Sequence, residues 1–268
     1  MPNAAAATSG VAVRIEANGV AWLTLDNPRK LNAMSAPMWR ALGDALTRFE
    51  SDPGVRCCVL SGQGDQAFCA AADISQLEQI RSGPDSSAEY DRLTRSTLAQ
   101  LQAFPKPAIA MVSGFCLGAG VALAIACDLR LAATGSRLGI PAAKLGIGYF
   151  YAAAKRLTDL IGPAQAKRIL FTGEKFSAEE MLRIGLLDEV LAPDALVQRV
   201  SALAGDIAAN APLSVAAAKY AVETACRDAA GKDIAGCAER ERACIQSEDH
   251  AEGRKAFMEK RAPVFSGR

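Results

Sequence analysis

Lys106-Pro107-Ala108-Ile109-Ala110-Met111-Val112-Ser113-Gly114-Phe115-Cys116-Leu117-Gly118-Ala119-Gly120-Val121-Ala122-Leu123 is the stretch whose reading decides the fold. Ala108 to Val112 is a short apolar run bounded by Pro107 and Gly114, the pattern of a strand buried on both faces. Gly118-Ala119-Gly120 then makes a turn of small residues, and an alanine-rich helix follows to Cys127. A strand passing through a glycine-rich turn into a helix is a unit of an α/β fold. The first amides of such a helix point outward and its start is electropositive, so the turn suits an anion or a developing oxyanion. A plain tight turn that permits close packing fits the same residues. Two phosphate-binding loops are excluded. Leu123 stands where a dinucleotide fingerprint needs its third glycine, and no Lys-Ser/Thr follows as a P-loop requires.

Upstream, Val11 to Ala17 and Val20 to Asp26 alternate in polarity around Asn18-Gly19, which predicts a hairpin with a two-residue turn. Ala36 to Glu50 carries Met38, Leu42, Ala45, Leu46 and Phe49 at helical spacing, and Asp52-Pro53-Gly54 ends it. Arg56 to Gly62 reads as a buried strand. A loop then leads to Ala70-Ala71-Ala72-Asp73-Ile74, where small side chains let a ligand approach the backbone and Asp73 is placed to cap a helix. Arg81 to Ser87 reads as exposed and mobile, and a helix is expected over 88–103. Downstream, Asp128 to Ala132 is a further strand. After Pro193 the chain reads as helices over 195–210, 212–227, 233–247 and 251–260. The expected organisation is a disordered tail over 1–10, an α/β core over 11–200 and a helical region over 201–268. That last region is too short to bury its apolar faces alone, so it should pack on the core or on another subunit.

Composition narrows the function. With 268 residues the chain can bury a large core. A net charge of +1 gives no reason to expect nucleic-acid binding. No apolar run approaches the roughly 20 residues that span a bilayer, so no membrane partner is expected. The 8 cysteines lack disulfide or zinc spacing and read as buried hydrophobes in a reducing compartment. The one histidine, His250, lies in Ser247-Glu248-Asp249-His250 and no G-x-S-x-G elbow exists, which argues against a Ser-His-Asp triad. His250 reads as a surface residue at a helix start, and no metal site is expected.

Taken in order, several blocks resemble the crotonase (enoyl-CoA hydratase/isomerase) superfamily. They are Asn27-Pro28 with Leu31-Asn32-Ala33; Ala67-Phe68-Cys69-Ala70-Ala71-Ala72-Asp73-Ile74, with Ala71 where glycine is usual; Lys106 to Gly114 with Gly118-Ala119-Gly120; and Ala126 to Ala132. Phe171 to Glu174, Gly185 to Val190 and a C-terminal signature from Ser247 to Phe265 complete the match, which covers roughly 11–268. The resemblance implies a spiral of strand-strand-helix turns followed by helices that build a homotrimer, often paired into a hexamer. It implies acyl-CoA thioesters as partners, with coenzyme A carried by the substrate and no separate cofactor, and a cytoplasmic location. It implies an oxyanion hole made by the amides of Ala72 and Ala119, which polarises the thioester carbonyl and stabilises an enolate. Lys30, Leu31, Ala70, Ile74 and Gly118 are the implied substrate contacts, with Phe257 and Lys260 reaching the adenine end, as residues of the same or a neighbouring subunit.

Two positions depart from the pattern. Ala122 and Ala142 stand where the family's hydratases carry their two catalytic glutamates. Alanine transfers no proton, and one such group is typically worth ~10²- to 10⁴-fold. Of the nearby polar residues Lys144, Tyr149 and Tyr151, Tyr149 is the best placed by resemblance, since crotonase-family methylmalonyl-CoA decarboxylases have a tyrosine there. These observations predict a lyase of malonyl-type thioesters and an inefficient hydratase. The alternatives are a non-catalytic acyl-CoA binder, or a hydratase or isomerase with substitute catalytic residues.

Overall fold

The computed structural model describes residues 10–71 and 84–268. β1 (Gly10–Ile15) and β2 (Val20–Asp26) form the expected antiparallel hairpin. Its turn is longer than the expected two residues. Glu16 N donates to Val20 O and Gly19 N to Glu16 O, so Ala17-Asn18-Gly19 make the bend. Gly19 takes φ 85°, which a longer hairpin turn ending in a left-handed residue demands. Gly10 pairs with Asp26, so the tail predicted over 1–10 gives up its last residue to the sheet, and 1–9 lie outside the described residues.

α1 (Ala36–Ser51) is capped by Ser35, whose Oγ accepts from Met38 N, and it buries Met38, Trp39, Leu42, Ala45, Leu46 and Phe49 on one face. β3 (Cys57–Gly62), β4 (Ala67–Cys69), α2 (Pro84–Gln102), β5 (Ala108–Val112), β6 (Phe115–Leu117), α3 (Ala119–Ala126), β7 (Leu129–Ala133) and β8 (Arg137–Gly139) follow. α2 begins at Pro84, earlier than the predicted residue 88, because proline is well suited to the first turn of a helix. α4 (Tyr151–Thr172), which the sequence reading did not resolve, continues through a kink at Gly162-Pro163, with Gly162 at φ 75°. β9 (Phe176–Ser177), α5 (Ala178–Arg183), β10 (Glu189–Leu191) and α6 (Pro193–Ala209) complete the core. α7 (Pro212–Ala225), α8 (Ile234–Gln246) and α9 (Glu248–Glu259) form the C-terminal helices.

The strands lie in two sheets. One has the order β1-β2-β3-β5-β7-β10 and is parallel beyond the first hairpin. The other has the order β4-β6-β8-β9, with β4, β6 and β8 parallel. From β3 to β8 successive strands alternate between the sheets, so each turn of chain lays one strand on each and returns, the strand-strand-helix spiral that the sequence implied. The main core lies between the sheets and under α1, α3 and α4. A second core places Leu196, Val200, Ala204 and Ala208 of α6 against Val20, Val59, Ile109 and Leu131 of the larger sheet. The boundary expected near residue 200 thus falls inside a helix that belongs to the core, and the helices that leave it begin at Pro212.

The cysteines are free; Cys57, Cys58, Cys69, Cys116 and Cys127 are buried as expected, whereas Cys226 is exposed and Cys237 and Cys244 are half-buried, because they lie on the C-terminal helices outside the core. Burial pushes the thiols of Cys57, Cys69 and Cys127 up to about 12, which leaves them as inert hydrophobes. His250 is exposed in the first turn of α9, where its N–H donates to Ser247 Oγ. The chain end folds back: Asp249 accepts from Ser266 N and Gly267 N, and Arg56 donates to Phe265 O. Val222, Ile245, Phe257, Met258 and Val264 remain exposed on the C-terminal region. Among the described residues, no single helix is long and apolar enough to cross a membrane.

Candidate active site

Three adjacent parallel strands, β4, β6 and β8, end side by side. Cys69 pairs with Cys116 and Leu117 with Gly139. Ala70-Ala71, Gly118-Ala119 and Ile140-Pro141-Ala142 therefore leave the same edge of the smaller sheet. The space beyond the carboxyl ends of parallel strands is a common ligand site in α/β folds. Segments far apart in sequence meet there because their strands pair.

The glycine-rich turn is held by close packing. A Cβ on Gly120 would lie 2.2 Å from Cys69 O, so only glycine lets α3 start directly over the end of β4. Gly118 takes φ 54°, ψ −107°; its N–H donates to Gly139 O at 2.9 Å and its carbonyl accepts from Ala122 N at 3.1 Å. Ala119 is thus the first residue of α3, where a helix leaves its amide without an intrahelical acceptor and the dipole favours negative charge. A Cβ on Gly118 would meet nothing within 4 Å, so the turn's outer side is open.

The first loop is tied to this edge. Ala70 N donates to Leu31 O and Met34 N to Ala71 O, both at 3.0 Å, which brings exposed Lys30 and half-buried Leu31 beside Ala70. Asn32 organises the loop, a role that the sequence reading missed. It is buried at φ 56°; its Oδ1 accepts from Asn27 N, and its Nδ2 donates to Gln63 O and to Ala67 O at 2.7 Å. Asparagine tolerates left-handed backbone better than most residues, which is the signal that marks it. Ala71, which stands where the family usually has glycine, takes φ 151°, a backbone that favours glycine. Ala72, Asp73 and Ile74 lie outside the described residues.

Ala122 is buried on α3. Ala142 is half-buried in the 3-10 turn Pro141–Leu145, with its carbonyl accepting from Ile147 N. Ala119, Ala142, Tyr149 and Phe150 pack against the core cluster that contains Ala122 and Cys116. The Tyr149 hydroxyl is buried and has no hydrogen-bond partner among the described residues. Burial, with the nearby Cys116 thiol adding to it, holds this phenol well above its ordinary range, so it stays protonated. Its ring stacks at a tilt on Phe150, 5.6 Å between centroids. Phe150 in turn lines a cavity of about 300 Å³ with Ala122, Ile125 and Ala126. Lys144 and Tyr151 are exposed. Phe257 and Lys260 sit on α9 and at its end; Phe257 lines a separate recess with Met258 and Phe265, so one chain does not bring it to Ala119.

The family model described as enoyl-CoA hydratase/isomerase matches residues 15–268, from the end of β1 to the last residue. This chain belongs to the enoyl-CoA hydratase/isomerase family. It is 38% identical over 248 residues to the Bacillus subtilis protein YngF, covering 92% of this chain and 95% of that one. It is 33% identical over 246 residues to the crotonyl-CoA hydratase of Syntrophomonas wolfei, covering 92% and 94%. Among solved structures, it superimposes on an enoyl-CoA hydratase/carnitine racemase from Magnetospirillum magneticum with a TM-score of 0.90 at 33% identity, covering 96% of both chains. The family fold expected from the ordered sequence blocks is therefore the fold of this chain, its C-terminal helices included.

Proposed function

We propose that this family member binds acyl-CoA thioesters at the convergent ends of β4, β6 and β8 and stabilises a thioester enolate there without a pair of glutamates. The Ala119 amide is one oxyanion donor and the Ala72 amide the other; neither donor depends on its side chain. A donor of this kind is worth ~3 kcal/mol to the transition state in acyl chemistry. Lys30, Leu31, Ala70, Ile74 and Gly118 contact the thioester and its coenzyme A arm. The exposed apolar residues of the C-terminal helices support a homotrimer or a pair of trimers, in which Phe257 and Lys260 of one copy reach the coenzyme A of another. The five buried free thiols fit a reducing compartment, the cytoplasm.

One observation carries the choice of reaction: the buried Tyr149 hydroxyl, which has no partner among the described residues. A buried hydroxyl costs free energy unless something bonds to it, and a substrate can supply that partner. Held protonated, the phenol is a donor of a proton and not a base. Decarboxylation of a malonyl-type thioester needs no base. The bond from the α carbon to the carboxylate breaks, its electron pair enters the thioester enolate held by the amides, and carbon dioxide leaves. Tyr149 then gives its proton to the α carbon and is reprotonated by solvent. Ala122 and Ala142 supply apolar surface that disfavours a carboxylate in the ground state.

The test is turnover of malonyl-CoA and methylmalonyl-CoA, read as carbon dioxide and shortened thioester. Release of both products is expected, with crotonyl-CoA hydrated slowly. The 33% identity to a crotonyl-CoA hydratase favours a second reading, hydration by substitute residues. Rapid crotonyl-CoA hydration would establish it and sink the decarboxylase. Tight acyl-CoA binding without turnover of any of these thioesters would leave a carrier.

A further inference from the structure

α3 connects the oxyanion turn to the cavity beside it. Ala119, Ala122 and Ile125 with Ala126 follow the three- and four-residue spacing that puts side chains on one helix face. The last three line the 300 Å³ cavity. The face therefore leads from the Ala119 amide to the end of α3, about 10 Å along the axis at ~1.5 Å per residue. Phe150 and Leu98 make further apolar wall.

The wall also carries positive charge. Arg95 and Arg156 are the charged residues that line the cavity, and no carboxylate does so among the described residues. Arg156 is only 13% exposed, and its Nε donates to Ile125 O at 3.0 Å, which fixes the guanidinium at the end of the helix face. Its contact with Glu223 is long, 3.4 Å. The Arg95 guanidinium lies 5.8 Å from the Phe150 ring centroid, and its ion pair with Asp91 is longer still, 3.8 Å. Two guanidiniums on the wall of one apolar cavity, each with a weakly held counterion, offer donors for a carboxylate.

We infer that the acyl group this site prefers ends in a carboxylate: a diacid joined to coenzyme A at one end, with its free end held by Arg156 and Arg95. This deepens the proposed function and rests on its reading that the thioester sits at the Ala119 amide. Arg156 lies a helix length from that amide, so it holds the remote carboxylate and leaves the apolar surroundings of the reacting carbon unchanged, while Arg95 lines the same cavity over Phe150.

Adipoyl-CoA and hexanoyl-CoA test it, since they differ only in whether the far end carries a carboxylate. Titration calorimetry on the full chain should give adipoyl-CoA at least about tenfold tighter binding, the scale of a charge-assisted hydrogen bond. Arg156→Gln and Arg95→Gln should each shrink that preference toward unity while hexanoyl-CoA affinity stays within about twofold. Should Arg156→Gln fail to fold, Arg95→Gln decides, because its side chain is 60% exposed. Equal affinities in the unaltered protein, or a preference that survives substitution, overturn the inference and leave acyl-CoA binding intact. If neither thioester binds, the proposed function falls as well.

Discussion

Arg130 is buried whole and Tyr149, half-buried, hides its hydroxyl, and the molecule treats these two polar groups in opposite ways. Arg130, on β7 of the larger sheet, donates to Leu186 O, to Cys127 O and to Asp188, all within 3.0 Å. Tyr149, by the smaller sheet, donates to nothing among the described residues. Around Arg130 the pattern repeats: Lys219 bonds Lys106 O and Asp128, and Lys106 bonds Phe49 O and Asp52 O. The larger sheet thus closes its polar groups on one another, as a scaffold must. The smaller sheet leaves a phenol and a helix-start amide open beside its strand ends. Thr94, Gln165 and Thr224 also keep a buried oxygen without a partner among the described residues, so it is the packing of Tyr149 on the same core cluster as Ala119 and Ala142, and not the unmade bond alone, that supports the proposed site.

Three substitutions can break or sharpen that contrast. The largest effect is expected of Tyr149→Phe on catalysis. Turnover of a malonyl-type thioester should fall by ~10²- to 10⁴-fold, while the urea midpoint holds or rises, since an unpartnered hydroxyl has gone. A loss of stability with unchanged turnover would make Tyr149 another scaffold residue. Arg130→Met should behave in the reverse way. It strands two carbonyls and Asp188, so we expect a loss of ~3 kcal/mol or more in urea unfolding, with turnover per folded molecule unchanged. Stability within ~1 kcal/mol of the parent would end the scaffold argument. The smallest effect is that of Ala71→Gly. Relief of φ 151° should raise stability by up to ~1 kcal/mol. Were that backbone unstrained, glycine would instead lower it by roughly 0.5–1 kcal/mol through entropy, so the sign of the change in melting temperature is decisive.

Several segments of the proposed site were legible before the fold. The Gly118-Ala119-Gly120 turn, the loop at Leu31 and Asn32, and the alanines at 122 and 142 are each recognisable from local residue types. The paired ends of β4, β6 and β8 were not, because parallel pairing joins segments whose separation in sequence says nothing of their register. Arg95 and Arg156 illustrate the same limit. In sequence they are ordinary helix-surface arginines; only the packing of α2 and α4 beside α3 makes them line one cavity.

By itself, then, the sequence determined where strands, turns and helices alternate, which family the chain joins, and that residues 122 and 142 are alanine. Those are properties of residue type and local spacing. Tertiary structure decided that α6 belongs to the core, that glycine is required where α3 crosses Cys69, and that the Tyr149 hydroxyl is buried without a partner among the described residues. Each of these depends on what the rest of the chain brings within a few ångströms, and hydrogen-bond satisfaction and desolvation are decided at that range.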